Sequence, residues 1–278
     1  MGIEKLCLYS LLTPDGRSSC VEIAKRAVHY GVGGLELMNF CDELRTPDMA
    51  AARSVGRFAK EHGLALPCFS VGCTFLKPDP RETIEYLKGY ADICSELEIP
   101  YLHHTVILEL DHQNLAGYTY EELMKLAVEC SLEVSEYANS RGVKTIAEDQ
   151  GFVVNGVKQY SDFMARTDGK IGLLLDFGNI AFVDERADEF LDSVDLEVKH
   201  VHIKDYLLTD EPLEKDSMRS RGGRYITDCE MGTGHLPMQS IFDALKRKNY
   251  QGYYSLEFPG NLKEGDVERS IERILKMM

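Results

Sequence analysis

Eight short apolar runs, rich in residues that favour β-strands, recur along the chain and are near-continuous rather than alternating. Strands that are covered on both faces, as in parallel sheets, have this pattern. The runs are Lys5–Tyr9, Gly34–Met38, Ala65–Phe69, Tyr101–Val106, Val143–Ala147, Ile171–Leu175, His200–Ile203 and Gly252–Leu256. The pattern therefore predicts eight buried parallel strands.

Apolar residues at helical spacing fill the segments between these runs. Two of the segments open on a capping box, Ser19-x-x-Glu22 and Thr119-x-x-Glu122, in which a hydroxyl and a carboxylate satisfy the first free backbone amides. Glycines stand just past three predicted helix ends, where a left-handed cap is favoured, at Gly31, Gly63 and Gly142. A helix is therefore expected between successive strands.

Strict alternation of strand and helix indicates a parallel sheet, and eight such units indicate closure into a (β/α)₈ TIM barrel. A doubly wound open sheet is the main alternative, but no G-x-G-x-x-G follows the first strand. We expect one domain over residues 1–278, a usual size for this barrel. The stretch Tyr206–His235, between the seventh strand and its helix, is expected to be irregular.

Polar residues that can bind a metal close four consecutive predicted strands. Glu148 ends the fifth strand, Asp176 ends the sixth, His202 lies in the seventh and Glu257 ends the eighth. Because the carboxyl ends of barrel strands line one rim, these side chains are expected to meet there.

Three carboxylates crowded together at neutral pH repel one another, and a divalent cation neutralises them directly. Mixed oxygen and nitrogen ligands suit Mn²⁺, Mg²⁺, Co²⁺ or Zn²⁺. A lone carboxylate after a strand is more often a helix cap or an ion-pair partner than a metal ligand. Their occurrence on successive strands predicts one divalent metal site.

Five stretches of the chain together resemble the sugar phosphate isomerase/epimerase family, whose members have the xylose isomerase-like barrel. The stretches are IAEDQG, GLLLDFGN, HVHIKDY, EMGTGH and YYSLEFPG, in the family's order. The resemblance implies that Glu148, Asp176, His202 and Glu257 bind one divalent metal, and that Glu148 and Glu257 also act as acid and base. The implied activity is isomerisation or epimerisation of a sugar, sugar phosphate or cyclitol by proton abstraction next to a carbonyl, through a metal-stabilised enediolate.

The chain departs from one branch of the family at Asn179. Ketose 3-epimerases in this superfamily have Asp-x-x-His on the sixth strand, and their histidine contacts the substrate. Asn179 can donate a hydrogen bond at that position but cannot titrate. This difference weighs against a free-ketose epimerase and keeps Asn179 as a candidate substrate-binding residue.

Three further residues are candidates for substrate binding. Glu36 closes the second strand and is suited either to bind substrate hydroxyls or to pair with a neighbouring strand. His103 and His104 point to opposite faces of the fourth strand, so one of them is expected to face the site; we assign His103 to substrate. Lys204 shares the inward face of His202 and can neutralise a substrate oxygen.

The alternatives for Lys204 and for the chemistry remain open at this point. Lys204 can instead pair with Asp205 or Glu230. A metal-dependent dehydratase or lyase, either inosose dehydratase-like or 3-keto-glycoside-cleaving, would share the first proton abstraction. An apurinic-site endonuclease is disfavoured because that enzyme uses many histidines, and only eight occur here. A non-catalytic sugar-binding barrel has no need for two carboxylates about a metal.

The net charge limits the kinds of molecule that the protein is expected to bind. A net charge of −15 is unsuited to nucleic acid or anionic membrane, so a small sugar-like molecule is the expected partner.

Eight scattered cysteines without a C-x-x-C pair are typical of reduced thiols in a cytoplasmic protein. No apolar run is long enough for a membrane span, no secretory signal is evident, and a homo-oligomer is allowed.

Overall fold

The computed structural model describes residues 2–10, 19–214, 217–258, 263 and 265–278. Parallel strands within these residues form a barrel, and the helices lie on its outside. The barrel strands are β1 (Leu6–Ser10), β2 (Gly34–Leu35), β3 (Leu37–Met38), β4 (Cys68–Val71), β5 (Tyr101–His104), β6 (Lys144–Glu148), β7 (Gly172–Asp176), β8 (Val198–Ile203) and β12 (Tyr254–Glu257). The predicted (β/α)₈ barrel is confirmed.

The second predicted strand is split into two halves, β2 and β3, on either side of Glu36. β2 pairs with β1 and β3 pairs with β4, and both pairings are parallel. The Glu36 amide still donates to the Leu8 carbonyl at 3.0 Å, so the chain remains attached across the split. The two halves together occupy one position of the barrel, next to the first and third predicted strands.

The strands are buried on both faces, which explains their near-continuous apolar sequence. Every residue of β1 is buried, and the same holds for β4.

β4 begins three residues later than the predicted run, which started at Ala65. Pro67 has no backbone N–H to donate to a strand ladder, so a start after it is expected.

Helices follow the strands as predicted. They are α1 (Cys20–Tyr30), α2 (Met49–Glu61), α3 (Pro80–Glu96), α4 (His112–Leu115), α5 (Tyr120–Ser140), α6 (Val157–Arg166), α7 (Ala187–Ser193), α8 (Met238–Arg247) and α9 (Asp266–Met277). The capping box at Thr119 and Glu122 is complete, and Ser19 accepts a hydrogen bond from the Glu22 amide. Gly31 adopts the left-handed conformation with φ of 68° at the end of α1, as its position predicts.

The segment Tyr206–His235 is not irregular, and this prediction was wrong. It holds a three-stranded antiparallel sheet made of β9 (Tyr206–Thr209), β10 (Met218–Arg219) and β11 (Tyr225–Asp228). The short β-rich segments YLLT and YITD pair with each other across an intervening charged stretch. Because the pairing partners are far apart in sequence, local periodicity does not reveal them.

This small sheet lies over the carboxyl ends of the barrel strands. The Ser220 hydroxyl donates to Asp184, which follows β7, and the Arg221 guanidinium donates to the Phe152 carbonyl, which follows β6. The sheet therefore borders the rim on which the candidate ligands were predicted to meet.

No helix within the described part of the chain is long and apolar enough to cross a membrane. All eight cysteines have free thiols, and six of them are buried.

Candidate functional site

Four strand ends bring the predicted metal ligands to one place. The His202 Nδ1 atom lies 3.7 Å from Glu257 Oε2, 3.8 Å from Glu148 Oε2 and 3.9 Å from Asp176 Oδ2. Glu148, Asp176 and His202 are buried, whereas the Glu257 side chain is 30% exposed. The three buried groups offer ligand atoms close enough together to share an ion.

The geometry of these atoms fits a cation. The buried His202 Nδ1 atom has no hydrogen-bond partner among the described residues. Buried polar atoms are rarely left unsatisfied. The separations of 3.7–3.9 Å are too long for direct hydrogen bonds. They are suited to pairs of ligand atoms that each approach one ion at about 2.0–2.2 Å.

The turn after β7 orients Asp176. Its Oδ1 atom accepts hydrogen bonds from the Gly178 amide at 2.7 Å and the Asn179 amide at 2.9 Å. The Asp176 amide in turn donates to Asp149 Oδ1 at 2.9 Å. One carboxylate oxygen of Asp176 is thereby held by the backbone, and the other points to the ligand cluster.

Lys204 and Asn179 connect the carboxylates to one another. Lys204 Nζ lies 2.9 Å from Glu257 Oε1 and 3.1 Å from Asp176 Oδ2, and it donates to Asn179 Oδ1 at 3.2 Å. The Asn179 amide group donates to Glu148 Oε2 at 3.2 Å. Both residues therefore lie among the candidate ligands.

The alternative pairing of Lys204 with Asp205 or Glu230 is not observed. Asp205 instead accepts the backbone amides of Gly232 and Gly234, at 2.9 and 2.8 Å. Glu230 pairs with arginines of α9. These contacts leave the ammonium of Lys204 directed to the site.

Glu36 lies beneath the ligand cluster, inside the barrel, with 1% exposure. Its Oε1 atom lies 2.9 Å from His202 Nε2 and its Oε2 atom lies 2.6 Å from His200 Nε2. The Ser70 hydroxyl also donates to Oε1. Of the two uses that the sequence allowed for Glu36, the structure contains the pairing with neighbouring strands.

The two histidines of β5 face opposite ways. His103 faces the barrel interior, where its Nε2 atom lies 3.5 Å from Glu148 Oε1 and its Nδ1 atom lies 2.7 Å from Ser70 Oγ. His104 is fully buried and packs edge-on against Phe75, with ring centroids 5.7 Å apart. His103 is therefore the member of the pair that lies next to the candidate ligands.

The charges of the cluster shift its pKa values strongly. Burial raises the pKa of Glu148, and the neighbouring carboxylate of Asp176 raises it further, against the effect of His202. Burial by itself lowers the pKa of His202, but Glu36, Glu148 and Glu257 outweigh it and raise the value to about 9. In Glu36 the two imidazoles outweigh burial and hold the pKa well below its usual range.

Residues that sequence reasoning did not single out complete the site. The Tyr9 ring stacks on the His202 ring with centroids 4.5 Å apart and an interplanar angle of 26°. Ser70 and His200 join Glu36, and Asp149 holds the backbone of Asp176. A sequence signal existed for His200 alone, because it lies two residues before His202 and therefore shares its inward face.

His104 provides a pH-dependent stability that can be measured. Burial lowers its pKa to about 4, so the folded protein resists protonation of a ring that the unfolded chain protonates. The stabilisation is present above about pH 6.5 and is lost as the pH falls to about 4, by about 3 kcal/mol in total. Between pH 7 and pH 4, we expect the free energy of unfolding of His104→Asn to fall by about 3 kcal/mol less than that of the wild type. Urea unfolding at both pH values measures this difference.

The matched control for this comparison is His29→Asn, because His29 is exposed on α1. That variant should follow the wild-type pH dependence. An equally steep loss of stability in His104→Asn would contradict the assignment to His104.

The comparisons with known proteins agree with the fold. A family model described as xylose isomerase-like TIM barrel matches residues 24–277. Among curated proteins, an inosose dehydratase from Clostridium perfringens is 30% identical over 141 residues, which are 49% of this chain and 48% of that protein. The match thus spans about half the length of the curated relative.

Solved structures resemble this chain over nearly its whole length. A 3-keto-D-glucoside 4-epimerase from E. coli has a TM-score of 0.74 and 15% identity, covering 98% of each chain. A xylose isomerase-like TIM barrel protein from Mycobacterium smegmatis in complex with magnesium has a TM-score of 0.73 and 15% identity, covering 98% of this chain and 96% of that one. At these identities the likeness establishes a shared fold.

Proposed function

The chain belongs to the xylose isomerase-like TIM barrel family, and from that premise we propose that it is a divalent-metal-dependent isomerase or epimerase. The family match confirms the resemblance predicted from the five motifs. The proposed substrate is a sugar, a sugar phosphate or a cyclitol. The proposed reaction begins with removal of a proton next to a carbonyl.

One observation carries this proposal. Three carboxylate oxygens, from Glu148, Asp176 and Glu257, lie 3.7–3.9 Å from His202 Nδ1, which has no hydrogen-bond partner in the described part of the chain. The single charge of Lys204 offsets only part of this negative charge, and a divalent cation would balance the rest. The four residues would hold the metal, which could be Mn²⁺, Mg²⁺, Co²⁺ or Zn²⁺. When bound, such an ion supplies Lewis-acid stabilisation of negative charge on a substrate oxygen.

The proton transfers are assigned to two glutamates of this chain. Glu148 and Glu257 come from β6 and β12, which are separated in the barrel by β7 and β8. They therefore approach the shared centre from different directions. One carboxylate takes the proton from the carbon next to the carbonyl. The other returns a proton to the opposite face, which gives epimerisation, or to the adjacent carbon, which gives isomerisation.

Lys204, Asn179 and His103 are proposed to bind the substrate. Lys204 supplies a positive charge between Asp176 and Glu257, where it can interact with a substrate oxygen that becomes negative. Asn179 donates a hydrogen bond to Glu148 and holds its carboxylate in place. His103 presents its Nε2 atom next to Glu148, and within the residues that the structure describes this atom has no hydrogen-bond partner.

A dehydratase is the second candidate, and the match to an inosose dehydratase favours it. Loss of a hydroxyl group from the carbon beyond the abstracted proton would follow the same first step. In that reaction the returning acid would protonate the leaving hydroxyl instead of a carbon.

The experiment that tests the proposal is solvent-deuterium incorporation into a panel of ketoses and inososes, with and without added divalent metal. We expect metal-dependent deuterium uptake into at least one substrate. Recovery of a labelled epimer or isomer indicates the first candidate. A product lighter by one water indicates the dehydratase.

Elemental analysis of the purified protein accompanies this assay. About one divalent ion per chain is expected. The absence of exchange from every metal-loaded sample and every substrate of the panel would contradict the proposed reaction.

A further inference from the structure

Glu36 is hydrogen-bonded to side chains that border the candidate site. Its two oxygens contact His202 Nε2, His200 Nε2 and the Ser70 hydroxyl. We propose that Glu36 is a positioning residue that determines which ring nitrogen of His202, and through Ser70 which ring nitrogen of His103, faces the site as a lone pair. The inference rests on the proposed function, because it concerns the residues that would hold and surround the metal.

The first part of the inference concerns His202. An ionised carboxylate only accepts hydrogen bonds, so the His202 Nε2 atom, 2.9 Å from Glu36 Oε1, must carry the proton in the neutral ring. His202 must be neutral to bind a metal, and in that form its Nδ1 atom is a bare lone pair. That atom is the one surrounded by the carboxylates of Glu148, Asp176 and Glu257.

Without Glu36 the opposite tautomer would be favoured. Three carboxylates face the Nδ1 side of His202, and they would draw the ring proton to that nitrogen. A protonated Nδ1 cannot bind a metal. Glu36 therefore opposes a preference that the site itself creates.

The second part concerns His103 and passes through Ser70. A serine hydroxyl has one proton, and the Ser70 proton is directed to Glu36. Ser70 Oγ must then accept from His103 Nδ1, which lies 2.7 Å away. His103 Nε2 is thereby left as an acceptor, 3.5 Å from Glu148 Oε1 and without a hydrogen-bond partner among the described residues.

Both branches leave a lone pair on the site side of a buried ring. Glu36 is 1% exposed and Ser70 is also 1% exposed, so water does not compete for these contacts. Carboxylates that hydrogen-bond the outer nitrogen of a ligating histidine fix the ring and raise metal affinity. Here Glu36 acts directly on His202 and, through Ser70, on His103.

The test uses the full chain, with Zn²⁺ as a diamagnetic probe. Glu36→Gln keeps the size of the side chain but removes its charge and replaces one of its two acceptor oxygens by an amide donor. We expect this variant to bind Zn²⁺ about 10- to 100-fold more weakly than the wild type, measured by competition with a chelator. Ser70→Ala removes only the hydrogen bonds that link Glu36 to His103, so the Zn²⁺ affinity of this variant should stay within about threefold of the wild type.

Nitrogen-15 spectra of the histidine rings separate positioning from a general structural effect. In the Zn²⁺-loaded wild type, His202 should carry its proton on Nε2, and His103 should carry its proton on Nδ1. Ser70→Ala should lose the fixed tautomer of His103 and leave that of His202 unchanged. Asp266→Asn, which alters a buried carboxylate at the start of α9, should change neither ring nor the Zn²⁺ affinity.

Two results would overturn the inference while leaving the proposed function intact. They are Zn²⁺ bound with wild-type affinity by Glu36→Gln, and a wild-type spectrum with the proton on His202 Nδ1 or on His103 Nε2. Failure of the wild type to bind Zn²⁺ would instead contradict the proposed function itself. If Glu36→Gln does not fold, the wild-type spectrum and the Ser70→Ala variant still decide the question.

Discussion

Glu257→Gln is expected to lower the rate of solvent-deuterium exchange into the substrate by about 10³-fold, because the amide can neither take nor return a proton. The fold should be unaffected, since the Glu257 side chain is 30% exposed at a strand end. Lys204 loses one charged partner in this variant but keeps Asp176 at 3.1 Å. Exchange rates are measured with the metal-loaded protein at a saturating concentration of one substrate. Circular dichroism verifies that the variant is folded.

Glu185→Gln is the matched control for this experiment. Glu185 also lies near the carboxyl ends of the strands, but its carboxylate accepts the Val157 amide at 2.8 Å. Its replacement should leave exchange within a few-fold of the wild type. An unchanged exchange rate in Glu257→Gln would remove this glutamate from the proposed acid–base pair.

Asp176→Asn is expected to weaken binding of a divalent metal by more than about 100-fold. Residues that only hydrogen-bond a metal ligand already contribute about 10- to 100-fold to metal affinity, and Asp176 is proposed to bind the metal directly. The asparagine oxygen can still accept the amides of Gly178 and Asn179, so the turn after β7 should be kept. The new NH₂ group replaces the Asp176 oxygen that faces Lys204 and the ligand cluster, so the negative charge is lost and donors point to the site. Chelator competition measures the affinity directly.

Thermal unfolding provides a second readout for the same variant. A ligand that binds only the folded state raises the unfolding temperature. Divalent metal should therefore raise the Tm of the wild type and of Asp184→Asn, and leave the Tm of Asp176→Asn nearly unchanged. Asp184 is a suitable control because it holds Ser220 and the Gly222 amide, away from the ligand cluster. An equal Tm rise in Asp176→Asn would contradict its assignment as a ligand.

The barrel and the meeting of the four candidate ligands were predictable from local patterns. Each strand shows as an apolar run, and each run that ends in Glu148, Asp176 or Glu257 directs that residue to the same rim. The parallel arrangement of the strands turns this sequence order into spatial proximity. The barrel differs from the prediction in strand boundaries, as at β4, which starts after Pro67, and in the split of the second strand at Glu36.

The network beneath the ligands was not predictable in the same way. Glu36 and His202 are 166 residues apart, and their contact depends on the packing of side chains across the barrel interior. Sequence spacing indicates which face a strand residue occupies, but not which distant residue it meets on that face. This is why Glu36 had two open interpretations, and why Ser70 and Tyr9 were not identified.

The sheet formed by β9, β10 and β11 was missed for a related reason. Its strands are two to four residues long and pair across a charged stretch, so no run within it resembles a buried strand. Its placement rests on tertiary contacts such as those from Ser220 to Asp184 and from Arg221 to Phe152.

A crystal of the protein grown with Zn²⁺, with anomalous diffraction recorded at the zinc edge, tests the metal site most directly. The account predicts one strong peak within about 2.0–2.2 Å of His202 Nδ1 and of carboxylate oxygens from Glu148, Asp176 and Glu257. A protein that binds zinc only elsewhere, with these four side chains unligated, would contradict it.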